Sequence, residues 1–244
     1  MPTTALHPRS ITEIIDAAFR LLRQHYAQFA VISVVAMLPL IIMRLFVPPL
    51  PTLSNISLYF ALMAVSFVCT NVAEGATVIA VSDSYLNGRV DVGGALAGTL
   101  SRIPAIFGVV VMRALLIVLG CIALIIPGIY IGLRTFAAMP ALLLERKSPD
   151  AAVGRSWALA GGSVWKVFVA LLLAYLIWFA LLVVVQLLGT TLIGGRNPQV
   201  LAMLMGILSA FIYPIISVVV TLLYYDLRIR REGFDLEIMA KELG

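Results

Sequence analysis

The sequence predicts an all-α membrane protein, a polytopic bundle of six transmembrane helices, and three observations lead there. Of the 244 residues, 62% are hydrophobic and 12% are charged, against roughly 25% charged in soluble domains. Six segments approach the length of about 20 mostly apolar residues that a helix needs to cross hydrocarbon, where no backbone amide can be left unpaired. Finally, 13 of the 17 Lys and Arg residues fall in the N-terminal segment, alternate loops and the C-terminal tail. Loops that stay in the cytoplasm carry that bias.

The elements follow in chain order as one integral membrane domain over 1–244. Met1–Ser10 lacks the apolar core of a secretory signal, so the first span is expected to be retained. Ser10-Ile11-Thr12-Glu13 has the form of a capping box. Ile11, Ile15, Phe19 and Leu22 then line one face of an interfacial helix over 10–25, with Glu13, Asp16, Arg20 and Arg23 mostly elsewhere. Spans at 27–47 and 58–81 follow, joined by the turn Pro48-Pro49-Leu50-Pro51.

A second amphipathic stretch carries Val92, Leu96, Leu100 and Ile103, and Pro104 suits the first turn of the next span. The third and fourth spans are placed at 103–126 and 129–144, with Pro127-Gly128 as their turn. Ser148-Pro149 then opens a third amphipathic stretch as N-cap and N1, aligning Val153, Trp157, Ala160 and Val164. The last spans, 165–188 and 200–225, flank Gly194-Gly195-Arg196-Asn197-Pro198. In the tail, 226–244, Leu236, Met239 and Leu243 recur at helical spacing, to pack under the bundle or meet a partner. The chain thus reads as three units, each a short cytoplasmic interfacial helix followed by a two-span hairpin. Internal repetition of this kind occurs in transporters and in inert bundles alike.

Charge sets the orientation. Arg9, Arg20, Arg23, Arg89, Arg102, Arg146, Lys147, Arg155, Lys166, Arg228, Arg230, Arg231 and Lys241 share one side, and only Arg44 and Arg196 the other. Both termini are therefore expected in the cytoplasm. The net charge of +5 and pI near 9.5 would suit nucleic acid in a soluble chain. Here the cations border a membrane, so anionic lipid is the expected partner and nucleic acid is not.

Three charges fall deep inside spans, away from their ends: Glu74, Arg113 and Arg134. At about 1.5 Å per residue, Glu74 lies roughly 12 Å from the cytoplasmic end of its span and both arginines roughly 15 Å, so one cluster is allowed. A charge at that depth costs on the order of 3 kcal/mol or more unless it meets a partner or a wet cavity. The plain reading is an ion-pair network that fixes helix order. A sharper one is an anion or lipid-headgroup site in which the two arginines exceed the single acid, because guanidinium forks suit phosphate and carboxylate. A proton relay through Glu74 is the third. Thr70, Asn71 and Thr77 could add hydrogen bonds between helices. Pro39, Pro140 and Pro214 should kink their spans. Gly128 with Gly132, Ala76 with Ala80 and Ala137 with Ala141 are small-residue pairs that permit close helix approach.

Nothing points to an enzyme. His7 and His25 are the only histidines, and no zinc motif, nucleophile elbow or cysteine cluster occurs. Glu74 has no acidic neighbour at its depth, as an intramembrane carboxylate pair would need. Cys69 and Cys121, both inside spans, suggest buried thiols and no disulfide. No metal or cofactor is expected. At the cytoplasmic rim, Arg155, Trp157, Trp165, Arg228 and Arg230 read as interfacial anchors, the usual role of Trp and Arg at that level.

Two runs resemble a known family. One is Gly132-Leu133-Arg134-Thr135-Phe136-Ala137-Ala138-Met139-Pro140, continuing to Glu145 and on through Arg155-Ser156-Trp157, Gly161-Gly162 and Trp165. The other is Leu223-Tyr224-Tyr225-Asp226-Leu227-Arg228-Ile229-Arg230-Arg231-Glu232-Gly233, extending to Glu237. Both are similar to the membrane domain that precedes the catalytic domain of some bacterial glycerophosphoryl diester phosphodiesterases, and to its stand-alone relatives. The resemblance implies a six-span bundle in a bacterial cytoplasmic (inner) membrane. It implies no activity, since in the two-domain members hydrolysis belongs to a separate barrel with a metal site, and no such barrel is expected from these 244 residues. The expectation is a non-enzymatic accessory or scaffold protein in contact with anionic lipid. The alternative is a carrier of an amphipathic anion or lipid headgroup that uses Glu74, Arg113 and Arg134.

Overall fold

The computed structural model describes residues 9–48, 51–193 and 198–233. The expected turns through Pro49-Leu50 and Gly194–Asn197, and the tail from Phe234 with Lys241, lie outside the described residues. Those residues form ten helices and no strand. Six stretches are long and apolar enough to span a membrane: Ile11–Met43, Ile56–Asn87, Ile103–Ala123, Ile125–Leu144, Val164–Thr191 and Val200–Glu232. The surface agrees with that role. Ile122, Leu124, Ile125 and Ile126 are each at least 70% exposed, a contiguous apolar face that suits lipid and not water.

Helix α1 (Ile11–Met43) starts in a reciprocal capping box. The Glu13 amide donates to Ser10 Oγ at 3.3 Å and the Ser10 amide donates to Glu13 Oε2 at 2.6 Å. The helix breaks at His25 (φ −126°, ψ 24°), where the charged pattern gives way to an apolar one. Pro39 sits within α1, but the non-helical residue is His25. Helix α2 (Ile56–Asn87) closes on Gly88, whose left-handed φ of 67° and amide bond to Ser84 make a glycine C-cap. Asp91 caps α3 (Val92–Leu100) by accepting from the Gly94 amide at 3.0 Å.

The α4 (Ile103–Ala123) to α5 (Ile125–Arg134) hairpin corrects one expectation. It turns on Leu124 alone, in extended conformation, and Pro127-Gly128 lies inside α5. Pro127 is the third residue of α5, where an amide would find no intrahelical acceptor, so proline there does not break the helix. Gly128 serves packing instead. A Cβ on it would stand 2.9 Å from the Cys121 amide nitrogen, and one on Gly120 2.9 Å from the Gly128 Cα. With Gly132 against Ile117, these contacts set the register of the hairpin.

The fourth span is interrupted between α5 and α6 (Ala138–Leu144). Pro140, lacking an amide, cannot bond back to Phe136 and crowds its carbonyl, and the chain departs from the helix just before it. Ser156 of α7 (Pro149–Ala160) fills the gap. Its hydroxyl donates to the Arg134 carbonyl and accepts from the Ala137 amide, both at 2.9 Å. Arg102 caps the far end of α6, donating to the Leu142 and Lys147 carbonyls at 2.9 Å each. Pro214 separates α9 (Pro198–Ile212) from α10 (Pro214–Glu232), and α8 (Val164–Ile193) is uninterrupted.

The chain forms two compact units: 1–21 with 102–173 and 218–244, and 22–101 with 174–217. In the first, Val109, Met139, Leu142, Leu159, Leu223 and Tyr224 are fully buried. In the second, Ala36, Met37 and Ile41 pack with Val72, Ala73 and Ala210, and the Tyr213 hydroxyl donates to the Thr70 carbonyl at 3.0 Å. Ala76, Ala80, Ala137 and Ala141 are all wholly buried, so both alanine pairs serve close packing. Thr70, Asn71 and Thr77 donate to carbonyls of their own helix, at Ser66, Phe67 and Ala73.

Candidate functional site

The ionic side chains of the first unit gather where α7, the start of α8 and the end of α10 meet α6. Asp226, 2% exposed, is the centre of one cluster. Its carboxylate takes a hydrogen bond from Lys166 Nζ, one from Arg230 Nε at 3.0 Å and one from the Arg9 amide at 2.6 Å. Lys166 and Arg230 also donate to the Arg9 carbonyl, at 2.6 and 2.7 Å. Asp226 ends the apolar part of α10, so the carboxylate is desolvated and holds both cations by charge and geometry.

Glu145, at the end of α6, is the centre of the second. Arg155 Nε donates to both of its oxygens at 2.9 Å and the Tyr224 hydroxyl donates at 2.6 Å. Arg155 reaches on to Glu232 at 2.7 Å, and Arg228 Nε meets the same Glu232 at 3.3 Å. The Glu232 bond, reinforced by Glu145 against the opposing effect of burial, pushes the Arg155 pKa above its ordinary value, so it stays a cation at every working pH. Four residues expected at the rim thus have these places: Arg155, Arg228 and Arg230 are tied to carboxylates, and Trp165 is 74% exposed beside Phe168.

Arg134 differs. Its guanidinium carbon lies 4.7 Å from the centroid of Trp157 and 5.7 Å from that of Tyr130, rings that themselves meet edge to face at 6.1 Å. Its Nε is buried with no acceptor, as is that of Arg113, and neither residue has an ion pair among the described residues. The charged end of Arg134 also reaches the Gly161 turn, to which Arg231 comes from the basic end of α10. That draws the Arg134 charge away from mid-span, because a long side chain on a helix end can carry its head to the rim. Glu74 is half-buried and belongs to the second unit, Arg113 and Arg134 to the first.

Sequence reasoning missed Glu145, Asp226, Ser156, Arg231 and Glu232 as parts of a site. A signal existed for two. Glu145 and Asp226 each close an apolar run beside a basic segment, where a carboxylate can neutralise cations that would otherwise crowd together. No local pattern marks Ser156, whose partners come from another helix.

The two runs singled out in the sequence supply nearly all of this end: Arg134, Glu145, Arg155, Ser156, Trp157, Gly161, Tyr224, Asp226, Arg228, Arg230, Arg231 and Glu232. No curated protein and no solved structure matches the chain. A family model does, over residues 101–230, more than half of its length, and its description is the membrane domain of glycerophosphoryl diester phosphodiesterase. The chain is a six-span, multi-pass member of the glycerophosphoryl diester phosphodiesterase membrane-domain family.

Proposed function

We propose that this protein is a non-enzymatic accessory or scaffold protein of the cytoplasmic membrane, oriented with both termini inside, that holds anionic lipid at its basic end. One observation carries the reading: Arg134 stands against two aromatic rings with no carboxylate beside it, while the neighbouring acids Glu145, Asp226 and Glu232 are all engaged by other cations. Carboxylates so committed are poor general bases, which need a free lone pair and a tuned pKa. An unneutralised guanidinium at a membrane rim is instead an attractive partner for a lipid headgroup.

A second reading, carriage of an amphipathic anion, draws on Arg113. It sits within α4, its Nε buried and without an acceptor. The two readings separate in reconstituted vesicles, where a carrier moves labelled anionic lipid between leaflets and a scaffold does not. The central test is mass spectrometry of lipid extracted with protein purified in a neutral detergent. Enrichment of anionic lipid over the membrane pool supports the proposal, and lipid at bulk composition contradicts it. Release of glycerol phosphate from a glycerophosphodiester by the purified protein would overturn its non-enzymatic part.

A further inference from the structure

We propose that Arg134 and Arg231 form a phosphate-binding clamp over the Gly161-Gly162 turn. The inference rests on the reading of the basic end as a lipid-contacting surface and assigns that contact to particular atoms. A Cβ added to Gly161 would lie 3.3 Å from Arg134 Nη1 and 3.3 Å from Arg231 Nη2. The two nitrogens therefore stand within about twice that distance of each other, a span that one tetrahedral oxyanion bridges. Gly162 lies 3.3 Å from Arg231 Nη2 on the same measure, and its φ of 73° is a conformation that favours glycine. Side chains at either position would fill the space the two guanidinium groups share.

Both groups are held in advance. Arg231 Nη1 donates to the Ala158 carbonyl at 2.6 Å, which leaves Nη2 directed at the turn. Arg134 is fixed by the Trp157 face, and its carbonyl by Ser156. Neither cation has an ion pair among the described residues, so two like charges converge there with no carboxylate between them. A phosphate offers an oxygen to each fork with others left for solvent, whereas a carboxylate must share its two oxygens between the forks. Trp157 and Tyr130, 37% and 43% exposed, flank the clamp with apolar surface, as an amphiphile would require.

The ligand is therefore a phosphate group, presented by a phospholipid or free in solution. The test is thermal unfolding of the full chain in a neutral detergent, titrated with inorganic phosphate or with phosphatidic acid in mixed micelles. Wild type should gain a saturable rise in Tm, since a ligand stabilises only the state that binds it. Arg134→Gln and Arg231→Gln should each weaken the half-saturation by about tenfold or more, the loss of a charge-assisted bond. Arg23→Gln, an exposed cation outside the clamp, should not. Protection by phosphatidic acid alone identifies the lipid source, and protection by inorganic phosphate at equal or lower concentration identifies the free ion. Should Arg134→Gln fail to fold, the exposed Arg231→Gln decides. If Arg23→Gln weakens protection as much as the clamp variants, attraction is diffuse: the clamp is wrong while lipid contact stands. If neither probe protects wild type and no anionic lipid is extracted, both fail.

Discussion

Asp226→Asn removes one charge and almost no volume from the buried cluster at the end of α10. Its Oδ1 can still accept from the Arg9 amide, now 2.6 Å away, so the loss falls on the two cations. The Arg230 side chain is 37% exposed, and water makes good most of its loss, leaving less than about 1 kcal/mol. Lys166 is 16% exposed, and breaking a buried pair by removing one partner costs about 3–5 kcal/mol. Discounted for the partial exposure of Lys166, the sum is about 3 kcal/mol. For a chain of this size that is a fall in Tm of roughly 6–12 °C, read by thermal unfolding in detergent. Lys166→Met should cost about 2 kcal/mol less in the Asp226→Asn background than in wild type, because the shared interaction is already gone. A fall in Tm under about 2 °C, or strictly additive variants, would refute the cluster as a buried electrostatic anchor.

Three further outcomes follow from local geometry. Ser156→Ala strips the break in the fourth span of both hydrogen bonds and leaves the Ala137 amide buried without an acceptor, a loss of about 1–3 kcal/mol that urea unfolding would register. Gly128→Ala places a methyl against the Cys121 backbone and forces α4 and α5 apart, at about 1–3 kcal/mol. Gly132→Ala, where a Cβ has only Ile117 at 3.8 Å, should be near neutral in the same assay.

What could be read from sequence was whatever one helix decides alone. Apolar length located six spans, Ser10-Ile11-Thr12-Glu13 marked a helix start because its cap is made by residues three apart, and Ser148-Pro149 marked another because proline suits a first turn, although Ser148 makes no side-chain cap. Pro127-Gly128 misled because turn composition does not report position within a helix: in the first turn proline is harmless, and glycine opposite Gly120 is needed for packing. The depth assigned to Arg134 assumed an unbroken helix from Arg134 to Leu144, and the chain is interrupted at 135–137. The interruption depends on a hydroxyl from α7, and the convergence of Arg134 with Arg231 depends on α10. Such contacts between distant segments leave no periodic trace. The rim arginines were visible as cations, and Asp226 with Arg230 and Arg228 with Glu232 stand four residues apart on α10, but the ties of Arg155 and Lys166 to carboxylates exist only where α6, α7, α8 and α10 meet.

The six-span, termini-inside arrangement underlies every functional statement made of the basic end, and site-directed labelling tests it most directly. With Cys69 and Cys121 replaced by Ala, single cysteines at Lys147 and at Thr52 are treated with a membrane-impermeant thiol reagent, in intact cells and after permeabilisation. The account predicts that Lys147→Cys reacts only after permeabilisation and that Thr52→Cys reacts in intact cells. Reaction of both from one side, or of Lys147→Cys from outside, would contradict it.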